Sequence, residues 1–216
     1  MNFLAHFHLA WPDPGLVAGA LEGDYFKGPL RGDHSGDIEA GVRLHRAVDA
    51  YTDSHPALAA LRRQFPPALR RYAGIVIDIS FDHYLTRDWQ RYHHRPLPEF
   101  SREVYRVLNT RQGELTPGAQ RMAHRLQEHD ILNCYHRWDA VTSTAERIGS
   151  RLRRGNALAG LAPQLHPLRP AMAQAFVDFY PDLRDFAADF RRQLNQSASA
   201  DSKQRGPRIA PPPETH

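Results

Sequence analysis

The sequence predicts an all-α fold, a single-domain helical bundle, on three observations. Apolar residues recur at three- and four-residue spacing through most of the chain. No segment alternates apolar and polar residues at period two for long. Proline and glycine cluster at intervals that leave helix-length rather than strand-length segments between them. The 216 residues suit one sizeable domain, expected over 1–194, with a Ser- and Pro-rich tail from Asn195 expected to be disordered. No internal repeat is present.

The chain opens on a short apolar stretch carrying His6 and His8. Two residues apart, they share a face if the stretch is extended and diverge if it is helical. His6 is the one expected nearer a site. Pro12-Asp13-Pro14-Gly15 is a turn that starts a helix to about Lys27. Gly28-Pro29 and residues 32–37 form a loop, with Asp37 the expected N-cap of a helix from Ile38 to Thr52. Asp53 is expected to cap the next helix, which runs from Pro56 to about Phe65. A long helix is expected from Ala68 to His93, with a strand at Ile75-Val76-Ile77 as the weaker alternative. Further helices are expected at about 99–111, 117–132, 141–154 and 168–192, the last kinked or broken at Pro181.

Composition narrows the function. Cys134 is the lone cysteine, which excludes an internal disulfide framework and a multi-cysteine zinc site, and makes a reducing cytoplasm the simplest compartment. No apolar run reaches the length of a membrane span, and the N-terminal segment lacks the features of a secretory signal. There are 28 Lys and Arg against 24 Asp and Glu, nearly all the basic residues being Arg, so an acidic partner, a phosphate or nucleic acid is favoured. No phosphate-cradling glycine loop and no nucleophile elbow is present. Cys134 and His136 are close only in sequence, which is poor evidence for a dyad. His93, His94, His124, His129 and His136 lack acids in helical register and are expected at the surface; Trp89 and Trp138 are expected as core or interface anchors.

The informative residues are acids and histidines inside apolar stripes. Asp24 follows Val17 and Leu21; His45 and Asp49 continue a stripe of Ile38 and Val42; Asp78 and Asp82 share one with Leu85 and Trp89, and His83 adjoins Asp82. A buried carboxylate is costly unless paired. One divalent ion could match several such groups from separate helices. The competing explanations are structural. His45 and Asp49 could form a core hydrogen bond. Asp78 and Asp82 could pair with arginines such as Arg46, Arg70, Arg71 or Arg87. A metal-activated water is the more economical nucleophile, so the residues point to a metal-dependent hydrolase.

Four motifs carry a family resemblance: residues 2–10 (NFLAHFHLA), Gly23-Asp24-Tyr25-Phe26, residues 44–49 (LHRAVD) with Thr52-Asp53, and residues 78–85 (DISFDHYL). With Phe179-Tyr180-Pro181, they resemble the acyl carrier protein phosphodiesterase family over roughly residues 1–192. The resemblance implies a fold related to the HD-domain phosphohydrolases. It also implies hydrolysis of the phosphodiester that joins 4′-phosphopantetheine to a serine of holo-acyl carrier protein. The adjacent pair runs Asp82-His83, the reverse of the usual HD order, so the implied ligands are a set: Asp24, His45, Asp78, Asp82, His83 and His6. Mn²⁺ is the implied ion, with Mg²⁺ or another divalent metal as alternatives. Asp49 is a further ligand or an orienting group, and Arg46 would neutralise phosphoryl charge. Arg62, Arg63, Arg70, Arg71, Arg87 and Arg91 would steer an acidic carrier protein, with no membrane or nucleic acid as partner. The alternatives are a phosphohydrolase for a nucleotide or another small phosphodiester, and a non-catalytic helical module binding an acidic protein or RNA.

Overall fold

The computed structural model describes residues 2–152 and 157–204. These residues form helices and connecting turns with no strand, so the all-α expectation holds and the strand alternative at residues 75–77 does not. The first ten residues settle as α1 (Phe3–Ala10), followed by α2 (Pro14–Tyr25), whose N-cap Asp13 accepts from the Leu16 amide at 3.0 Å. The long α3 (Gly36–Ser54) and short α4 (Pro56–Gln64) follow, with Pro56 in the first turn, where its missing N–H costs nothing. Two capping expectations fail. Ser35 occupies the cap of α3, while Asp37 lies inside its first turn, where two Arg111 nitrogens reach it at 2.9 and 3.0 Å. His55 stands at the start of α4, and Asp53 instead takes Arg62 at 2.8 Å.

The expected helix over 68–93 is three pieces: a 3₁₀ turn at Arg70–Tyr72, α5 (Ala73–Arg87), and another 3₁₀ turn at Trp89–Arg91. The second break lets Trp89 turn inward, buried, with its indole N–H donating to the Arg95 carbonyl at 2.8 Å. His93 is buried beside it, stacked on the Trp89 ring, and so is not the surface residue its register suggested. Next come α6 (Leu97–Thr110) and α7 (Pro117–Glu128). The second stops short of 132 because Asp130 adopts the left-handed conformation, φ 45°, and turns the chain into a 3₁₀ segment, Ile131–His136. There follow α8 (Trp138–Gly149), a one-turn α9 (Ala162–Leu165) and α10 (Arg169–Gln204). The expected end of the helix over 141–154 falls on residues 153 and 154, outside the described residues.

The last helix passes through Pro181 without ending, and it continues through residues 195–204, where a tail was expected. The remaining tail, residues 205–216, lies outside the described residues. The buried stripe of α10 is Met172, Phe176, Phe179, Tyr180, Leu183 and Ala187, the three- and four-residue spacing of a helix face on a core. Phe176 and Phe179 pack on Phe81 of α5.

Two devices fix where α1 and α3 lie. Eight residues make a marginal helix alone, and α1 is held by charge at both ends. At its N-terminus, Asp82 of α5 accepts the Leu4 and Ala5 amides at 3.0 and 3.1 Å; at its C-terminus, Arg191 of α10 donates to the Leu9 and Trp11 carbonyls at 3.2 and 2.7 Å. Both signs suit the helix dipole. Between α2 and α3, glycines recur every fourth residue on one face: Gly15, Gly19 and Gly23. A Cβ on Gly19 would stand 2.6 Å from the Gly41 Cα of α3, so the two backbones approach as closely as glycines allow.

Candidate metal centre

The same glycine ridge seats His45. A Cβ on Gly23 would stand 2.6 Å from the imidazole Cδ2, so the ring lies flat against the α2 backbone. There His45 Nδ1 meets the Ala20 carbonyl oxygen at 2.8 Å. A carbonyl can only accept, so Nδ1 carries the proton, and in the neutral ring Nε2 presents a lone pair. That lone pair faces Asp49 Oδ2 at 3.2 Å and Asp24 Oδ1 at 3.7 Å. Acceptors therefore point at acceptors where buried imidazoles meet two half-exposed carboxylates, an arrangement that a proton or a cation between them would favour.

Helix α1 completes the corner. Being helical, it sends its two histidines apart. His6 stacks on His45 with ring centroids 4.0 Å apart and brings Nε2 to 3.2 Å from Asp49 Oδ1. His8 turns away to the Tyr180 hydroxyl, 2.7 Å distant, and the Tyr92 carbonyl. One ligand atom each from His6, His45 and Asp49 lies within 4.8 Å of the others, the one such cluster of three metal-ligating groups among the described residues. Two imidazole nitrogens and a carboxylate suit a borderline divalent ion such as Mn²⁺ or Zn²⁺. The Nδ1–carbonyl bond of His45 is the orienting contact that metal-bound histidines use.

Electrostatics divide the two carboxylates. Burial works against the Asp49 anion, yet the imidazoles of His45 and His6 outweigh it and hold the group far below the usual carboxylate range. Asp24 is pushed the other way, by burial first and then by Asp49. Burial above all drives His6 down to about 3, which favours the neutral ring that can ligate. Asp24, His45, Asp49 and Arg46 line one cleft of about 350 Å³ with Phe26 and Lys27. An Arg46 N–H donates to the Phe26 carbonyl at 2.9 Å, which anchors the guanidinium there.

The remaining expected site residues sit elsewhere. Both oxygens of Asp82 are taken by the start of α1, and burial raises its pKa to about 7. His83 Nδ1 donates to the Tyr135 carbonyl at 2.7 Å, and its ring edges onto Trp138. Asp78 is raised by burial, with the charges of Asp49 and Asp53 adding to the rise, so it borders the corner without being one of its three clustered ligands. Sequence reasoning left Asp49 open between ligand and orienting group. The signal it passed over is the four-residue glycine spacing of α2, which marks the helix face where His45 is buried.

The family model described as acyl carrier protein phosphodiesterase matches residues 1–183. The chain belongs to the acyl carrier protein phosphodiesterase family. Among curated members, a protein of that name from Serratia proteamaculans (strain 568) is 33% identical over 205 residues, 92% of this chain and 97% of that protein. One from Photorhabdus laumondii subsp. laumondii is 30% identical over 190 residues, 88% of this chain and 89% of its own. One from Escherichia coli O45:K1 is 30% identical over 189 residues, 87% and 98%. No solved structure matches. Among the described residues, no helix is long and apolar enough to cross a membrane.

Proposed function

We propose that this chain hydrolyses the phosphodiester between 4′-phosphopantetheine and the serine of holo-acyl carrier protein, releasing apo-carrier protein and 4′-phosphopantetheine. The observation that carries the reading is the opposed-acceptor corner of His6, His45 and Asp49, opening on a cleft that also holds Arg46 and Lys27. The reading extends to kinship of the bundle with HD-domain phosphohydrolases and to a cytoplasmic location, both proposals that follow from it.

His6, His45 and Asp49 would hold a divalent metal, Mn²⁺ first, with Asp24 at the edge of the set. When bound, such an ion polarises the phosphoryl oxygen and lowers the pKa of a coordinated water. The chain's own residues do the rest. Asp49, kept anionic, balances the ion's charge. Arg46 and Lys27 put positive charge where phosphoryl oxygens enter, and a fixed guanidinium needs little reorganisation as charge develops. Asp24, half-exposed and raised in pKa, can hand a proton to the departing serine oxygen. Asp82 anchors the start of α1 as a structural contact and takes no part in holding the metal. Asp78 and His83 support α5 beside it.

Carrier docking is assigned to the arginines of α4 and the turns around α5. Arg62 already holds Asp53, one turn past Asp49, and Arg87 holds Asp88. Arg63, Arg70, Arg71 and Arg91 are exposed and lack a carboxylate partner among the described residues, leaving them to an acidic carrier surface.

Intact-mass spectrometry of holo-acyl carrier protein with Mn²⁺ tests the reading. Loss of the phosphopantetheine mass is expected, blocked by a chelator and by Asp49→Ala. An unchanged carrier mass, alongside turnover of bis(p-nitrophenyl) phosphate, would move the assignment to small phosphodiesters.

A further inference from the structure

The molecule holds a second hollow apart from the cleft at the metal corner. It lies where the start of α1 meets α5, α7, the 3₁₀ segment Ile131–His136 and α8, encloses about 440 Å³, and shares no lining residue with the cleft. That volume is in the range of small-molecule pockets, roughly 300–1,000 Å³. Its walls are apolar: Phe3, Ile79, Met122, Ile131 and Ile148. Three arginines, Arg125, Arg147 and Arg151, stand around it, all exposed.

These arginines differ from those that pair with acids. Arg62, Arg87, Arg106, Arg111, Arg137 and Arg192 each hold a carboxylate. No carboxylate lies within ion-pair distance of Arg125, Arg147 or Arg151 among the described residues, and Arg147 reaches only the Thr144 hydroxyl, at 3.4 Å. Like charges gathered around one hollow raise its potential and favour an anion there. Guanidinium forks match an oxyanion such as a carboxylate or phosphate. A wall of Ile, Phe and adaptable Met suits a flexible hydrocarbon chain.

We propose that this hollow binds an anionic amphiphile: a medium-length acyl chain against the apolar wall, with an oxyanion head among the three arginines. Asn2 and Phe3, at its edge, begin the helix whose next turn carries His6, so a seated ligand touches the element that positions the metal corner. The same chain chemistry could arrive as a free fatty carboxylate or on a carrier protein's arm.

Calorimetric titration of decanoate, below its micelle concentration, into the full-length protein with chelator present tests the site without any turnover. One saturable site is expected, weakened at least tenfold in Arg147→Gln/Arg151→Gln and abolished in Ala140→Trp, which fills the hollow. Circular dichroism checks both folds. If the Trp variant misfolds, the exposed arginine pair still gives the readout. No saturable heat with the native protein, or native affinity in the arginine variant, would overturn the proposal. A failure here leaves the hydrolytic reading untouched, and the reverse holds as well. Decanoate that slows cleavage of an acylated carrier alone identifies the carrier's arm as the source. Saturable decanoate binding without that selectivity identifies the free acid. Either result supports the site.

Discussion

Two regions of this chain carry the same sequence signature and use it in opposite ways. Around α5, Asp82 and His83 are a buried acid and a buried histidine whose contacts are ordinary donor–acceptor pairs: two backbone amides for the carboxylate, one carbonyl accepting from the ring. Between α2 and α3, Asp24, His45 and Asp49 lie in similar apolar stripes, but the His45 lone pair faces carboxylate oxygens. The contacts of the first region are satisfied within the protein, and the second is the proposed site. A buried ionisable group becomes a ligand candidate through what its lone pairs face, and its place in an apolar stripe cannot tell the two cases apart.

The contrast breaks most visibly at Asp49. Asp49→Ala removes the group that both histidines address, and metal-dependent cleavage should fall to background in the mass assay. Asp24→Asn should keep the metal but slow cleavage by about 10²–10⁴-fold, the usual cost of losing a proton donor. An undiminished rate would take Asp24 out of proton transfer.

Asp82→Ala probes the other region. It leaves two buried amides without a partner, at about 1–3 kcal/mol each, so urea unfolding should shift strongly while Mn²⁺ affinity in the folded protein changes little. Loss of metal from a protein that still melts like the native one would make Asp82 a ligand and erase the distinction. Its pH dependence has a definite sign. The folded pKa, about 7, lies above the ordinary carboxylate value of 3.8. This group's contribution is therefore full below about pH 4 and is lost as pH rises through 7. Asp82→Asn does not titrate, so its stability deficit should be larger at pH 5 than at pH 8; equal deficits would contradict the raised pKa. The smallest effect is expected at the rim. Reversing Arg63 and Arg70 should slow carrier association and flatten its salt dependence, read by stopped flow.

Much of this was legible in the sequence, for reasons that particular residues show. The stripes of α6 and α10, the turn prolines at 14 and 56 and the pairing of His45 with Asp49 at one helical turn are local facts, and local periodicity reveals them. The break at Asp88 was not legible, because it depends on Trp89 finding a pocket and a carbonyl from Arg95. Nor was the role of Asp82, whose partners lie 77 and 78 residues away. Asp53 and Asp37 looked like caps and became arginine partners, since Arg62 and Arg111 compete for the same oxygens. Asp13, in the turn expected to start α2, caps that helix.

The most direct measurement of the central claim is an Mn²⁺ titration followed by electron paramagnetic resonance, in which the free-ion signal is lost on binding. Native protein and Asp82→Ala should both quench it at stoichiometric protein, whereas His6→Ala and His45→Ala should leave the free-ion spectrum. Quenching that survives in both histidine variants and disappears in Asp82→Ala would place the metal at α5 and contradict the account.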